Sequence, residues 1–148
     1  MAISIFHSLL LQPLLILIFI AVASANVTSY NVVNFGAKPD GKTDSAKAFL
    51  GAWQKACGSA QKAAVHVPAG RFLVGKIVFG GPCKNNAITF TIDGTLVAPS
   101  AVGEGENWIV FDNVDGISVS GGLLDGQGSS LWACKNSGKT CPTGATVR

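Results

Sequence analysis

The residues in this 148-residue chain best suited to chemistry are its carboxylates. Hydrolysis of a glycosidic bond uses two carboxyl groups, about 5–5.5 Å apart in retaining enzymes and about 6.5–9.5 Å apart in inverting ones. Asp112 and Asp115 are close enough in the chain to be considered as such a pair. However, Asp40, Asp93, Asp115 and Asp125 each precede a glycine, which is the pattern of a tight turn. The turn interpretation is therefore favoured over catalysis.

The remaining candidates for acid or base chemistry are also explained without catalysis. Asp44 stands where it can cap a helix, and Glu104 and Glu106 lie in a glycine-rich loop and are interpreted as solvated. His66 lies between two valines on a predicted strand, so it would face away from them, exposed or at an edge. A catalytic base needs a reacting partner within hydrogen-bond reach, and the sequence places none beside His66. The residues taken alone predict no catalytic site.

Metal, nucleotide and sugar-stacking chemistry find little support. A zinc site is disfavoured because the sequence has no C-x-x-C and His66 is the only histidine after residue 25. The spaced glycines of 121–128 do not precede a predicted helix, so a dinucleotide site is not credible and no cofactor is expected. Trp108 and Trp132 could stack on sugar rings, although packing in the core is the default role of tryptophan.

The N-terminus predicts secretion. Residues Met1–Ala25 contain no Lys, Arg, Asp or Glu, and Leu9–Ala23 is apolar apart from Gln12 and Pro13. The run ends in Ala-Ser-Ala, which resembles a signal-peptidase site, so we expect cleavage after Ala25. A transmembrane anchor is the alternative, but the run is short for a span and contains a proline. We therefore predict a secreted protein without a membrane anchor.

Cleavage there would leave residues 26–148, which hold every charged residue and therefore the whole net charge of +3. The basic residues are scattered without a run of five or more, so nucleic-acid binding is not predicted. Mild basicity would suit an acidic polysaccharide, although a solvated surface is the simpler interpretation. Asn26 opens the one glycosylation sequon of the chain, Asn-Val-Thr, and is a candidate modification site.

Four cysteines in a secreted chain predict two disulfide bonds, with three possible pairings. Cys134 and Cys141 enclose a short loop and are natural partners. This pairing would leave Cys57 with Cys83.

One amphipathic helix is predicted, from about Ser45 to Cys57, capped by Thr43 or Asp44 and stopped by Gly58. It is the only convincing helix in the sequence. Its apolar residues recur at i, i+3, i+4, i+7 and i+11, which is one face of a 3.6-residue period. These residues are Ala46, Phe49, Leu50, Trp53 and Cys57.

The rest of the chain is a series of very short apolar runs separated by Asp, Asn, Gly and Pro clusters, among them a turn at Lys38–Gly41. Such runs suit a parallel β-helix whose end is covered by the single helix, and a β-sandwich is the alternative. The predicted strands are Tyr30–Phe35, Ala64–Val67, Arg71–Val74, Ile77–Phe79, Ile88–Ile92, Thr95–Ala98, Trp108–Phe111, Ile117–Val119 and Leu123–Leu124.

Specific motifs resemble the mature N-terminus of plant polygalacturonases, glycoside hydrolase family 28. The resemblance runs in order over almost all of residues 26–148. Its motifs are YNVVNFGA at 30–37, DGKTD at 40–44, VPAG at 67–70, GPCK at 81–84, IDGTLVAP at 92–99, NWI at 107–109, VSGG at 119–122, LDGQG at 124–128, LWACK at 131–135 and CPTGA at 141–145.

The resemblance implies an all-β fold, a right-handed parallel β-helix with one N-terminal capping α-helix. It also implies secretion to the cell wall and inverting hydrolysis of α-1,4 links in polygalacturonic acid (pectin), which would be the partner of the complete enzyme. In the family, catalysis uses aspartates from an Asn-x-Asp segment and an Asp-Asp pair. A Gly-His-Gly histidine and an Arg-x-Lys pair orient the substrate.

None of these motifs transfers to this chain. Asp-Asp, Gly-His-Gly and Arg-x-Lys are absent from its sequence. Asn113-Val114-Asp115 has the Asn-x-Asp pattern but corresponds to an upstream turn of the family, so we assign no catalytic residue. The sequence is interpreted as the N-terminal portion of such an enzyme, inactive alone. The alternatives are a non-catalytic pectin-binding wall protein and an inert remnant.

Overall fold

A computed structural model describes residues 26–100 and 107–141, and the predicted signal peptide lies outside these residues. The described part contains eight β-strands, two α-helices and one 3-10 helix. The strands are β1 Thr28–Asn31, β2 Asp40–Asp44, β3 Ala63–Val67, β4 Arg71–Leu73, β5 Ile77–Gly80, β6 Ile88–Val97, β7 Ile109–Asp112 and β8 Ile117–Asp125. The helices are the 3-10 helix Val32–Phe35, α1 Ala46–Gly58 and α2 Ser129–Asn136.

Every strand pairing in the described residues is parallel. Strands β1, β3, β6, β4 and β2 follow one another in a sheet in which β8 also pairs with β6, while β5 and β7 form a second sheet. A β-sandwich is built from antiparallel sheets, so this alternative is wrong for the described part. The arrangement is that of a curled parallel sheet, as in a fragment of a parallel β-helix.

The pairings form three ladders because β6 is shared between two of them. The start of β6 pairs with β3, whereas its end pairs with β4. We name ladder A the pairing of β1, β3 and the first halves of β6 and β8, and ladder B the pairing of β2, β4 and the second halves. Ladder C consists of β5 and β7.

The corner between ladders A and B is a bend within continuous strands. The sequence predicted separate strands on each side of Asp93-Gly94, but β6 runs through with a shift of register between Ile92 and Thr95. In β8 the bend falls at Gly121 and Gly122, with φ of 76° and 70°. A Cβ on Gly122 would lie 2.2 Å from the Ile92 side chain, so only glycine fits this close approach.

The core is formed by alternate residues of the strands. In β3, Ala63, Val65 and Val67 are buried, and the two residues between them are half-buried. β6 continues the pattern with Ile88, Phe90 and Ile92. This alternation is the period of two that the sequence shows in the Ile88–Ile92 run, and it sends the other side chains of ladder A outward.

Aromatic residues fill the space between helix α1 and the strands. Trp53 lies 5.4 Å from Phe79 and 5.8 Å from Phe90, measured between ring centroids, and Phe111 stacks on Phe79 at 5.1 Å. The Trp53 indole N–H donates to the Gly80 carbonyl at 2.9 Å, so its polar atom is satisfied inside the core. Helix α1 therefore covers the parallel strands. Phe49 and Trp53 of the predicted apolar face are buried, whereas the rest of that face is half-buried. The buried positions beside them are Ala48, Ala52 and Ala56.

Helix α1 starts one residue later than predicted. Ser45 occupies the N-cap position, and the Asp44 carboxylate accepts a hydrogen bond from the Ala46 N–H at 2.9 Å. The same Asp44 oxygen accepts from the Gly75 N–H at 3.0 Å. Asp44 thus caps a backbone N–H at the start of the helix, as the sequence predicted. It also joins the helix to the loop before β5.

The N-terminal strand prediction was wrong in its second half. β1 ends at Asn31, and the next residues form the 3-10 helix because the Asn31 side chain accepts from the Val33 N–H at 2.9 Å. Gly36, with φ of 99°, ends this helix. The predicted turn at Lys38–Gly41 also extends into β2, which pairs with β4 from Asp40 to Asp44.

The prediction of a single helix was wrong as well. Helix α2 occupies Ser129–Asn136. Its eight residues include Ser129, Ser130 and Asn136, poor helix formers, and they are too few for a clear apolar period. No helix among residues 26–100 and 107–141 combines the length and hydropathy needed to cross a membrane.

Candidate functional site

Asp40 has a structural role. Its carboxylate accepts from the backbone N–H groups of Lys42 and Thr43, both at 2.8 Å, and from the Thr43 hydroxyl at 2.7 Å. The Thr43 hydroxyl and these backbone donors hold the pKa of Asp40 at about 2, below its ordinary 3.8. A carboxylate stabilised in its charged form cannot donate a proton near neutral pH, so Asp40 is excluded as a general acid.

Asp125 is likewise engaged by its surroundings. Its carboxylate accepts from the Gln127 N–H at 3.0 Å and pairs with the Arg71 guanidinium at 3.1 Å. The Gln127 N–H and then Arg71 lower the pKa of Asp125 from its ordinary 3.8. The ion pair joins β8 to β4 across the strand between them.

His66 has the partner that sequence reasoning did not find. Its Nε2 lies 2.9 Å from Asp93 Oδ2, on the outer face of ladder A. The pairing of β3 with β6 brings the two together, because His66 pairs with Thr91 and Asp93 follows two residues later on the same face. Within the described residues the side chains of this pair hydrogen-bond only to each other, so the pair has no reacting group beside it.

The tryptophans divide between packing and exposure. The Trp108 indole N–H donates to the Val74 carbonyl at 2.8 Å, and its ring packs against the core. Trp132 on α2 is 62% exposed, with the Lys135 ammonium 5.1 Å from its ring centre. Of the two tryptophans considered for sugar stacking, Trp132 is therefore the exposed one, and Lys135 covers part of its ring.

A polar cleft of about 670 Å³ lies where the chain enters the strands of ladder A. It collects residues from three successive passes of the chain: the loops before β3, before β6 and before β8. Residues from these loops that carry charge or amides include Gln61, Lys62, Lys84, Asn86, Asn113 and Asp115.

The wall formed by residues 82–87 is tied to the end of helix α1. Cys83 forms a disulfide bond with Cys57, and the Lys84 N–H donates to the Cys57 carbonyl at 2.9 Å. The Asn85 side-chain amide donates to the carbonyls of Ala56 and Ser59 at 3.0 and 2.9 Å. The disulfide and these hydrogen bonds fix the position of Lys84 and Asn86 at the rim.

The opposite wall approaches so closely that it requires glycine. A Cβ on Gly116, which has φ of 67°, would lie 1.6 Å from the Asn86 carbonyl oxygen. Gly116 in turn accepts from the Ile88 N–H at 3.1 Å, which continues ladder A to the floor of the cleft. The turn role predicted for Asp115-Gly116 is thus explained, and the turn also places Asp115 in the cleft.

The cleft carries a positive balance. Lys62 and Lys84 are exposed, and neither has an ion pair within the described part of the chain. Asp115 is the one acidic residue among the described lining residues, whereas Asp112 lies outside this lining, in β7. The cleft therefore contains only one of the two carboxylates that the sequence offered as a pair.

The two disulfides are Cys57–Cys83 and Cys134–Cys141. This is the pairing that the short loop between Cys134 and Cys141 favours. Asn26 is exposed at the start of the described residues. Glu104 and Glu106 lie outside the described residues. No group of three or more His, Cys, Asp or Glu side chains among the described residues could hold a metal ion.

Comparison with known proteins defines the class. A model of the glycosyl hydrolases family 28 matches residues 57–147, which is more than half of the chain. The parallel pairings of strands β3 to β8 lie within this match. The chain belongs to glycosyl hydrolase family 28.

Its relatives are plant enzymes. A polygalacturonase of Prunus persica is 55% identical over 145 residues, which cover 95% of this chain and 37% of the relative. An exopolygalacturonase of Zea mays is 42% identical over 79% of this chain and 29% of the relative, and a polygalacturonase of Gossypium barbadense is 39% identical over 82% and 31%. The chain thus spans about a third of the length of these relatives.

Proposed function

We propose that the whole protein to which these residues belong is a pectin-degrading glycosidase that hydrolyses α-1,4-galacturonosyl links with inversion. The observation that carries this proposal is the 55% identity to a polygalacturonase over 95% of the chain. Membership of family 28 supports a glycoside hydrolase, and the cationic cleft suits a substrate that bears carboxylates.

In this proposal residues 26–148 supply the N-terminal part of a right-handed parallel β-helix domain. The parallel ladders and the helix over one end support that assignment. The carboxylates of the described residues have turn, cap or surface positions, and the Asp-Asp, Gly-His-Gly and Arg-x-Lys motifs of the family are absent from the sequence. The described residues therefore act as scaffold, and the chain of 148 residues by itself is expected to be inactive.

The test compares this chain with the longest in-frame product of its transcript. Each is purified and incubated with polygalacturonate, and reducing ends are measured. We expect reducing ends to be released only by a product whose sequence includes the Asn-x-Asp, Asp-Asp, Gly-His-Gly and Arg-x-Lys motifs of the family. Turnover by the 148-residue chain that is lost in Asp115→Asn would contradict the scaffold assignment. No turnover by any product would favour a non-catalytic pectin-binding protein or an inert remnant.

The proposal includes secretion to the cell wall. Two disulfide bonds are compatible with an oxidising compartment, and Met1–Ala25 has the composition of a signal peptide. Mass spectrometry of the secreted protein should give an N-terminus at Asn26. A mass decrease with enzymatic deglycosylation would show that Asn26 carries a glycan, whereas an intact Met1 would contradict cleavage.

A further inference from the structure

We propose that the cleft in front of ladder A is a binding site for the carboxylates of an acidic oligosaccharide, with Lys62 and Lys84 as the binding cations. The proposal rests on the proposed function for the identity of the sugar. The cleft itself, its charge and its rigid walls are features of the described residues. It assigns a ligand contact to two lysines whose ammonium groups form no ion pair among residues 26–100 and 107–141.

The charge of the cleft favours an anionic ligand. The charge of Arg71 is balanced by an ion pair with Asp125. Lys62 and Lys84 line the same cleft and form no ion pair in the part of the chain that the structure describes. Their ammonium groups each offer three hydrogen-bond donors to an anion. With Asp115 as the one opposing charge in the lining, the site favours a ligand with negative charge.

The lining decides what kind of anion fits. Besides the three charged residues, the described lining contains Gln61 and three asparagines, and it has no aromatic or large aliphatic side chain. Amides both donate and accept hydrogen bonds, which matches a ligand rich in hydroxyl groups. A hydrophobic ligand would lose water and gain little apolar contact, which only small residues such as Ala60, Pro82 and Ala87 offer. Nucleic acid is disfavoured, because single strands bind by stacking on aromatic side chains.

The surroundings provide space and further polar groups. The volume of about 670 Å³ lies within the roughly 300–1,000 Å³ that ligand pockets occupy. Ala87 and Gly116 lead directly into β6 and β8, where Thr89 and Ser118 form a rung on the outer face. A sugar chain leaving the cleft would therefore meet hydroxyl groups along ladder A.

The backbone of both lysines is held in place before any ligand binds. Lys84 follows the Cys57–Cys83 disulfide and is anchored by its backbone N–H, and Lys62 directly precedes β3, where its carbonyl accepts from Thr28. Both lysines therefore project from fixed backbone, which reduces the entropy lost on binding. The flexible part of each lysine is its side chain alone.

The experiment uses the secreted protein in affinity electrophoresis through gels that contain polygalacturonate, at physiological ionic strength. Lys62→Gln with Lys84→Gln removes two charges from the cleft. The matched control, Lys47→Gln with Lys55→Gln, removes the same charge from the exposed side of α1. We expect a loss of affinity of roughly threefold for each cleft lysine and about tenfold for the pair, and less than about twofold for the control.

Two further arms separate specific binding from general attraction. Asp115→Asn should strengthen retention about twofold, since it removes the repulsive charge and keeps a turn-forming residue. Fully methyl-esterified pectin, which lacks the carboxylate charge, should not retain the protein. Circular dichroism of each variant checks that the fold is kept.

The proposal is overturned if the cleft and control variants lose affinity equally, or if a sulfated polysaccharide is retained as well as polygalacturonate. It is also overturned if the wild-type protein is not retained at all. Hydrolysis by a longer product whose binding does not depend on these lysines would support the proposed function and contradict only the binding site proposed in the cleft. Binding without hydrolysis by any product would support the site and sink the proposed function.

Discussion

The two ends of ladders A and B contain the same kinds of residue in opposite surroundings. At the end beneath helix α1, Val65 is fully buried, whereas Val119, on the last strand of the same row, is 52% exposed. Trp53 is 2% exposed within the covered end and Trp132 is 62% exposed on α2. In this architecture burial is therefore decided by what lies on the next level of the stack.

The two ends also differ in the pairing of their backbones. Strand β6 has parallel partners on both sides, whereas β8 pairs with β6 alone among the described residues. Val119 and Leu124 continue the rows of Phe90 and Leu96, and both remain more than half exposed. An unpaired strand edge with apolar side chains is a surface on which other chains can pair. The following predictions test this contrast, from the largest effect to the smallest.

Trp53→Ala should have the largest effect. The substitution removes three aromatic contacts and leaves the Gly80 carbonyl without its donor, so we expect the free energy of unfolding to fall by about 3–5 kcal/mol. Trp132→Ala is the matched control at the exposed position and should cost less than about 1 kcal/mol. Urea denaturation measures both. Equal losses would show that the two tryptophans are packed alike.

Removal of the Cys57–Cys83 disulfide should come next. It closes a sequence separation of 26 residues, against 7 for Cys134–Cys141. Chain entropy predicts losses of about 3–4 and about 2–3 kcal/mol respectively, and Cys57–Cys83 also holds α1 against the cleft. Paired Cys→Ala variants in urea denaturation check the order. A larger loss at Cys134–Cys141 would contradict it.

The open edge should appear in association more than in stability. We expect purified residues 26–148 to self-associate or to bind a hydrophobic dye, because Val119 and Leu124 are exposed on β8. Val119→Thr with Leu124→Thr should reduce both signals and change stability by less than about 0.5 kcal/mol. Val78→Thr, at a position 47% exposed on β5, is the control. A monomeric sample that melts cooperatively without dye binding would refute this expectation.

Acid should produce the smallest effect. The folded chain lowers the pKa of Asp40 to about 2 from 3.8, so the stability that Asp40 contributes is present above about pH 4 and is lost as the pH falls through 2. Asp125 changes stability in the same direction. Denaturation between pH 5 and 2 should be flatter in Asp40→Asn than in wild type, with Asp112→Asn as the control. An unchanged slope in Asp40→Asn would contradict this role.

Sequence reasoning succeeded where one local pattern decided the structure. The helix that ends near Cys57 and the alternation in Ile88–Ile92 follow from a local apolar period, and the break predicted after Ile117–Val119 falls at the glycines where β8 bends. It failed where a contact with another part of the chain decided. Asp40 and Gly41 were predicted to end a turn, and Thr43 or Asp44 to cap the helix, but Asp40–Asp44 becomes β2 because β4 lies beside it.

The candidate site shows the same division. The sequence identified Asp115-Gly116 as a turn, but the cleft needs Lys62, Lys84 and Asp115 from three passes of the chain. His66 lacked a partner until β3 and β6 were placed side by side. Lys62 is 22 positions from Lys84 and 53 positions from Asp115 in the sequence. No local pattern could therefore show that these side chains share a cleft.

The sequence by itself determined most of the apolar strand segments, the glycine turns between them, the covering helix and the family, because these depend on residue type and close spacing. Only the tertiary structure decided which strand lies beside which, and hence which apolar residues are buried and which polar residues share a cleft. The physical reason is that a parallel pairing joins residues about 25 or more positions apart, as Val65 with Phe90, through backbone hydrogen bonds that every sequence can make.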